Sequence, residues 1–239
     1  DAKAQCGLGC MHYTGKGGLQ DSAEARRMFG LAAVQGHAQA QASLGSMYYL
    51  GQGGPQDLAE ARRLLGLASA QGDAQAQASL GNMHVHGEGG PQDSVKARRL
   101  FGLAASQGDA EAQAKLGRMH LHGEGGPQDL AEARRLYKLA ASQGDAEAQA
   151  RLGYMHYVGD GVPQDFAEAR RLFGLAAVQG HAKAQCSLGA MHYAAQGGPQ
   201  DFAEARRLLG LAAAQGDVDA QSTLGRMHCS GQGGPEDFA

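Results

Sequence analysis

The feature that most constrains this chain is the dipeptide Leu-Gly, which recurs at a fixed interval of 36 residues. The recurring leucines are Leu8, Leu44, Leu80, Leu116, Leu152, Leu188 and Leu224. The interval never changes, so no insertion, linker or low-complexity segment separates the copies. Self-similarity at such a period is typical of stacked repeats. We therefore expect one domain over 1–239, made of the repeats 1–36, 37–72, 73–108, 109–144, 145–180 and 181–216 and the partial repeat 217–239.

Each repeat is predicted to contain two helices joined by a glycine-containing turn. In the fifth repeat, Asp145 is suited to cap a helix over 146–158, and Asp165 is suited to cap a second helix over 166–178. Gly180 is a typical residue to follow that second helix. Two short helices cannot bury an apolar face alone, so neighbouring repeats must stack and share a core. The predicted fold class is all-α, an α-solenoid of helix-turn-helix repeats. We call the first helix of each repeat the A-helix and the second the B-helix.

One side of the A-helix varies between repeats, whereas the other three sides keep nearly constant residue types. At 100° per residue, the varying side in the fifth repeat consists of Glu147, Arg151, Tyr154 and Val158. Packing against neighbouring helices explains the three constant sides. We call the varying side the variable face, and we expect it to lie on the concave surface of the solenoid.

Cationic and aromatic residues gather on the variable face of the fourth and fifth repeats. They are Lys115, Arg118, His122, Arg151 and Tyr154. Arg and Tyr often dominate the energetics of interfaces, and Arg can bind a carboxylate through two hydrogen bonds. We interpret these five residues as a partner-binding site, with an acidic or C-terminal peptide segment as the expected ligand. The alternative is that they are ordinary solvated side chains.

The B-helices carry Glu and Arg three residues apart, as in Glu168 and Arg171, in every full repeat except the third, where Lys96 replaces the Glu. Such pairs contribute about 0.2–0.5 kcal/mol each and indicate a solvated outer face. The neighbouring Glu residues and the net charge of −3 argue against nucleic acid as a partner.

A glycine lies in the middle of five B-helices, at Gly30, Gly66, Gly102, Gly174 and Gly210. Glycine costs about 1 kcal/mol relative to Ala at such a position. Its repeated use suggests that another backbone approaches closely there.

A histidine recurs on a constant side of the A-helix, at His12, His84, His120, His156, His192 and His228. Neighbouring helices are expected about 8–10 Å apart, whereas the ligands of one zinc ion lie about 2 Å from it. We therefore interpret these residues as packing residues with polar tips. His86 and His122 differ because both lie on the variable face, where a shared metal ion is the alternative to simple solvation.

Signatures of catalysis are missing from the sequence: it has no Ser-x-x-Lys, Gly-x-Ser-x-Gly or His-Glu-x-x-His motif. We therefore expect no enzyme and no cofactor.

Cys6 and Cys186 occupy a packing position held elsewhere by Ala, as at Ala42, so all four thiols are expected to be free. No apolar run approaches the length of a membrane span and no signal peptide opens the chain. A soluble protein is expected, and its compartment stays open.

The repeat reads Ala-x-Ala-x-x-x-Leu-Gly-x-Met-His/Tyr-x-x-Gly-x-Gly-x-x-x-Asp, and its B-helix ends in Ala-Ala-x-x-Gly, as in the fifth repeat. This pattern resembles the Sel-one-like repeat (SLR), a relative of the tetratricopeptide repeat, over the whole chain. The resemblance implies a right-handed α-superhelix that serves as a scaffold or adaptor for protein complexes, often in signalling. Two departures are the recurring His where the family usually has Tyr, kept here at Tyr48, and Leu172 where it has Trp.

Two functions of different classes follow from these patterns. The first is a scaffold that binds a protein or peptide on the concave face, without nucleic acid, membrane or an obligate oligomer. The second is a module that binds a small ligand or a metal ion through His and Arg residues of that face.

Overall fold

The structure is a computed structural model that describes residues 1–232; residues 233–239, the end of the predicted partial repeat, lie outside the described part. The described residues form thirteen α-helices and no strand. The A-helices are α1 (Ala2–Thr14), α3 (Ala38–Leu50), α5 (Ala74–His86), α7 (Ala110–His122), α9 (Ala146–Val158), α11 (Ala182–Tyr193) and α13 (Val218–Cys229). The B-helices are α2 (Ser22–Val34), α4 (Leu58–Ala70), α6 (Ser94–Ser106), α8 (Leu130–Ser142), α10 (Phe166–Val178) and α12 (Phe202–Ala214).

The all-α solenoid fold predicted from the repeat is confirmed, including the two helices predicted over 146–158 and 166–178. The chain divides into two compact units, Asp1–Asp129 and Leu130–Ala239, which we call unit 1 and unit 2. Within each unit, every helix packs against the helices that precede and follow it in the chain. The single domain over 1–239 stays a prediction. Among residues 1–232, no helix combines the length and the apolar character that a membrane crossing needs.

Polar side chains and glycines set the ends of the helices as the sequence predicts. The Asp145 carboxylate accepts a hydrogen bond of 2.7 Å from the backbone N–H of Ala148, which caps α9. Gly159 ends the same helix in the left-handed region, at φ +78°, and its N–H donates to the carbonyl of Met155. Two A-helices use histidine as the cap instead, at His37 and His181.

In α3, α5, α7, α9 and α11 a line of leucine and methionine is buried, as Leu44 and Met47 are in unit 1, whereas the equivalent Leu8 and Met11 of α1 are exposed. A buried glutamine lies beside this line. The Gln41 side chain donates to the carbonyl of Ala33 at 3.1 Å and accepts from Gln71 at 2.8 Å. The first bond joins consecutive repeats, the second joins the two helices of one repeat, and both satisfy polar atoms that burial would otherwise leave without a partner.

The expectation that another backbone approaches the mid-helix glycines is wrong. A Cβ added at Gly66, or at its four counterparts, would meet nothing within 4 Å. The glycine of the Leu-Gly pair is the crowded one instead. A Cβ at Gly45 would lie 2.9 Å from Cγ of Leu65 and 3.3 Å from the carbonyl oxygen of Ala61. The A-helix needs this glycine because the B-helix of its own repeat packs directly onto it.

Candidate functional site

The five residues predicted to bind a partner lie on two A-helices. Lys115, Arg118 and His122 belong to α7 in unit 1, and Arg151 and Tyr154 belong to α9 in unit 2. His122 and Tyr154 are exposed, Tyr154 by 56%. More than half of the Tyr154 side chain is thus open to solvent, which is a large fraction for an aromatic residue.

In unit 1, both predicted cations are paired with glutamates. Lys115 forms an ion pair with Glu111, one helical turn before it, and its Nζ lies 5.9 Å from the centre of the Phe101 ring. Nη1 of Arg118 lies 3.1 Å from Oε1 of Glu124 in the following turn. Both cations were predicted to bind a carboxylate of a partner. In the structure they already bind one.

Unit 2 contains a similar arrangement around Glu147. The carboxylate accepts a hydrogen bond of 2.6 Å from Nε of Arg151 and lies 2.9 Å from Nε2 of His181, the residue that caps α11. The hydrogen bond from His181 is the main reason why the pKa of Glu147 falls to about 2, and Arg151 adds to the effect. Glu147 therefore stays ionised and holds the Arg151 guanidinium against α9.

A groove of about 710 Å³ surrounds this cluster. Its walls come from the A-helices α9 and α11 and the start of α13, and Phe173 of the B-helix α10 lies among its lining residues. Arg151 and Tyr154 line it together with Lys183, which is exposed, and Asp219. The groove thus brings two of the five predicted residues together with charged groups of both signs.

Cys186 also lines the groove, but its thiol is poorly suited to nucleophilic chemistry. Burial and the nearby carboxylate of Asp217 raise the pKa of Cys186 to about 12. Since the thiolate is the reactive form, Cys186 stays protonated. All four cysteines of the chain are free thiols in the structure.

Two smaller grooves lie on the A-helix side of unit 1. One, of about 200 Å³, lies between α1 and α3 over Phe29. The other, of about 170 Å³, lies between α3 and α5 over Leu65. In both units, then, grooves open between consecutive A-helices, on the side that the sequence pattern leaves variable.

The recurring histidine has a partner that the sequence analysis missed. Nη2 of Arg62 in α4 lies 2.6 Å from Nδ1 of His84 in the next repeat. The same guanidinium donates to the carbonyls of Glu88 and Pro91 in the turn after α5. Equivalent Arg–His contacts join Arg98 to His120, Arg170 to His192 and Arg206 to His228. We call this contact the Arg–His clamp; its signal in the sequence is the constant separation of 22 residues between the two side chains.

The fifth repeat lacks the clamp, and one substitution explains why. The turn of the third repeat has Gly90, where a Cβ would lie 2.5 Å from Nη1 of Arg62. The fifth repeat has Val162 at this position. Its side chain needs the space that the arginine occupies elsewhere, and Arg134 donates instead to the carbonyl of Gly161 at 2.6 Å. Nδ1 of His156 is consequently buried without a hydrogen-bond partner.

Comparison with known families decides the identity of the repeat. The family model described as the Sel1 repeat matches residues 2–37, 38–73, 74–109, 110–145, 146–181, 182–217 and 218–239. The chain belongs to the Sel1 repeat family. Sel1 repeats generally mediate protein–protein interaction, and proteins built from them are typically non-enzymatic scaffolds. The resemblance stated from the sequence is therefore confirmed.

Solved Sel1 repeat structures agree with the fold. The chain is 34% identical to c5321, a protective antigen of uropathogenic Escherichia coli with an SLR fold, at a TM-score of 0.89 over 99% of this chain and 51% of that one. It is 33% identical to a Sel1 repeat protein from Oxalobacter formigenes, at a TM-score of 0.80 over 99% and 68% of the two chains. The chain thus spans about half the length of the E. coli protein.

A more distant structure is similar in fold alone. The immunity protein PA5088 from Pseudomonas aeruginosa is 21% identical, with a TM-score of 0.56 over 91% of this chain and 82% of that one. No curated protein matches the chain.

The histidines of this Sel1 repeat protein do not gather at one point. Within residues 1–232, no group of three or more His, Cys, Asp or Glu side chains is arranged to hold a metal ion. His86 and His122, the pair for which a shared metal was the alternative, are both exposed at the ends of their helices.

Proposed function

We propose that this chain is a non-catalytic scaffold that binds a partner protein or peptide on the variable face of its A-helices. The observation that carries the proposal is the position of the grooves between consecutive A-helices. Concave, partly apolar grooves with a few polar groups are the usual form of binding sites. The groove of unit 2, with Arg151 and Tyr154, is the proposed centre in that unit. Lys115, Arg118 and His122 are the proposed contacts in unit 1.

We further propose that the partner segment is acidic and binds by exchanging ion pairs. A carboxylate of the partner would replace Glu147 on Arg151, or Glu124 on Arg118, and would also attract Lys183. Such exchange costs little for exposed pairs, because their net energies are about 0–1 kcal/mol. The affinity for an acidic segment should therefore fall as the salt concentration rises.

The test begins with affinity capture of partners from extracts of the native host, identified by mass spectrometry. Binding of the purified partner is then measured for Arg118→Glu/Arg151→Glu. The control is Arg99→Glu/Lys138→Glu, which reverses the same number of charges on exposed B-helix positions, one in each unit. We expect the first double variant to lose binding and the control to keep it, and both to keep the helical circular dichroism of the wild type; the melting temperature of the first should fall only modestly, because the ion pairs that it breaks are exposed. Equal binding by the two variants would remove the variable face from consideration.

A second candidate function, a small-ligand or metal-binding module, is favoured by one observation. The 710 Å³ of the unit 2 groove lies within the range of about 300–1,000 Å³ that is typical of small-molecule sites. Metal binding is tested by melting curves recorded in three conditions: with added Zn²⁺, with EDTA, and without either addition. A melting temperature that rises with Zn²⁺ and falls back with EDTA supports it, and an unchanged one excludes it.

A further inference from the structure

The two grooves of unit 1 are built in the same way. The equivalent place in the third repeat, around Phe101, is built differently. In each groove a bulky B-helix residue lies between two A-helices: Phe29 in the first and Leu65 in the second. We call them the Phe29 pocket and the Leu65 pocket. Phe101 is the equivalent residue of the third repeat, since the three positions are separated by 36 residues. Ser46 lines both pockets, so they adjoin.

The side chain at one position of the next A-helix differs between the two open pockets and the third repeat. Ser43 lines the Phe29 pocket, and Ser79 lines the Leu65 pocket. Lys115 has the equivalent position beside Phe101, and its long side chain extends over that ring, with Nζ 5.9 Å from the ring centre. The ion pair with Glu111 holds it there. A serine leaves the position open, whereas the lysine covers it.

The chemistry of the two open pockets is neutral. Among the described residues that line them there is no Asp, Glu, Lys, Arg or His. Met47 lies in the first and Met83 in the second, and thioether side chains adapt well to apolar groups of different shape. The volumes of about 200 and 170 Å³ are below the range of about 300–1,000 Å³ typical of small-molecule sites. Each pocket therefore has the scale of a single side chain.

The lack of charged groups in the described lining also disfavours a charged occupant of either pocket. A carboxylate placed in a neutral pocket would lose hydration without gaining a partner, which is costly. An apolar side chain would instead gain from burial, at about 25 cal/mol per Å² of apolar surface removed from water.

We infer that the Phe29 and Leu65 pockets of unit 1 take two apolar side chains of one uncharged partner segment, and that the residue at positions 43, 79 and 115 opens or closes each pocket. The inference rests on the proposed function, since it names the partner chemistry for part of the variable face. It is specific to unit 1 and independent of the charged residues of unit 2.

The test uses the full chain labelled with ¹³C at the methionine methyl groups. N-acetyl-L-leucinamide is the probe, and N-acetyl-L-asparaginamide, with a polar side chain on the same backbone, is the control compound. The methyl signals of Met47 and Met83 should shift with the leucine probe and not with the asparagine control. The signal of Met119, the equivalent residue beside Phe101, should not shift.

Three variants test the role of the gating position. Ser43→Lys should abolish the shift of Met47 alone, and Ser79→Lys should abolish the shift of Met83 alone. Lys115→Ser, which removes atoms and so cannot overpack the site, should make Met119 respond to the probe. The gating role of this position is overturned by two results together: the shifts of Met47 and Met83 persist in the lysine variants, and the Met119 signal does not shift in Lys115→Ser.

The outcomes separate this inference from the proposed function. The claim that the pockets take apolar side chains is overturned if Met47 and Met83 do not shift, or if they shift as much with the asparagine compound. This holds even when binding of the captured partner still depends on Arg118 and Arg151. Conversely, probe binding at Met47 and Met83 supports the pockets even when Arg118→Glu/Arg151→Glu leaves partner capture unchanged.

Discussion

Nη2 of Arg62 lies 2.6 Å from Nδ1 of His84, across the junction between the second and third repeats. A guanidinium can only donate hydrogen bonds, so Nδ1 must carry a lone pair and the His84 ring must be neutral. His84 is only 8% exposed, and the same guanidinium also donates to the carbonyl of Pro91. A single arginine thus joins a side chain and a turn of the next repeat.

The Arg–His clamp predicts a loss of stability in acid. Burial and the Arg62 charge lower the pKa of His84 from 6.5, as does Lys96, against the opposing effect of Asp93. Because the folded pKa lies below the unfolded one, the stabilisation is present above pH 6.5 and is lost as the pH falls below it. His192 has the same direction of shift, from burial and Arg170 with Arg207, opposed by Glu204 and Asp201.

The double variant His84→Tyr/His192→Tyr tests this prediction, because it replaces each histidine by the tyrosine found at this position in the second repeat. There Tyr48 occupies the histidine position and the Arg26 guanidinium lies 3.8 Å from the centre of its ring. Tyrosine keeps a contact with arginine and carries no proton to gain near neutral pH. Urea unfolding at about pH 7.5 and about pH 5.5 should show a smaller loss of unfolding free energy in the variant than in the wild type. The same loss in both proteins would contradict the prediction.

Gly90→Val should break one clamp. A Cβ at Gly90 would lie 2.5 Å from Nη1 of Arg62, so the arginine must move and leave buried His84 without its partner. A buried polar group left unpaired costs about 1–3 kcal/mol, and we expect the unfolding free energy to fall by about that amount. The control is Gly90→Val in an Arg62→Ala background. There the penalty should shrink, because the interaction is already absent; an undiminished penalty points to a cause other than the clamp.

Gly66→Ala and Gly174→Ala should stabilise the protein. Both glycines lie in the middle of B-helices with open space where a Cβ would be placed. The gain expected is about 1 kcal/mol each, the difference in helix propensity between Ala and Gly. Gly45→Ala is the contrasting control and should destabilise, since its Cβ would lie 2.9 Å from Cγ of Leu65. Urea unfolding midpoints measure all three; stabilisation by Gly45→Ala would disprove the packing argument.

Glu147→Gln should make the unfolding free energy depend less on pH in the acidic range. The pKa of Glu147 is about 2 in the folded protein against 4.5 as its ordinary value. Its contribution is therefore present above pH 4.5 and lost as the pH falls towards 2. The variant should be less stable than the wild type at neutral pH, and the difference should narrow between about pH 5 and about pH 3. A difference that stays constant over this interval would mean that the ion pairs with Arg151 and His181 contribute nothing.

Some features of the candidate site could have been found from the sequence, and others could not. Glu111 lies four residues before Lys115, and Glu147 four residues before Arg151, so both ion pairs follow from helical spacing alone. The contact of Glu147 with His181 spans 34 residues. It depends on how closely two A-helices stack, which no local pattern states.

The sequence alone determined the repeat length, the bounds of the helices, their Asp and Gly ends and the family. These depend on interactions within a few residues: the 3.6-residue period, the side-chain caps and the conformational freedom of glycine. Tertiary structure alone decided which glycine is crowded, which arginine binds the recurring histidine, and where a groove stays open. Gly45 and Gly66 look alike in sequence, yet only Gly45 faces its partner helix. Such differences of a few ångströms arise from the packing of one repeat on the next, and side chains far apart in the chain fix that packing together.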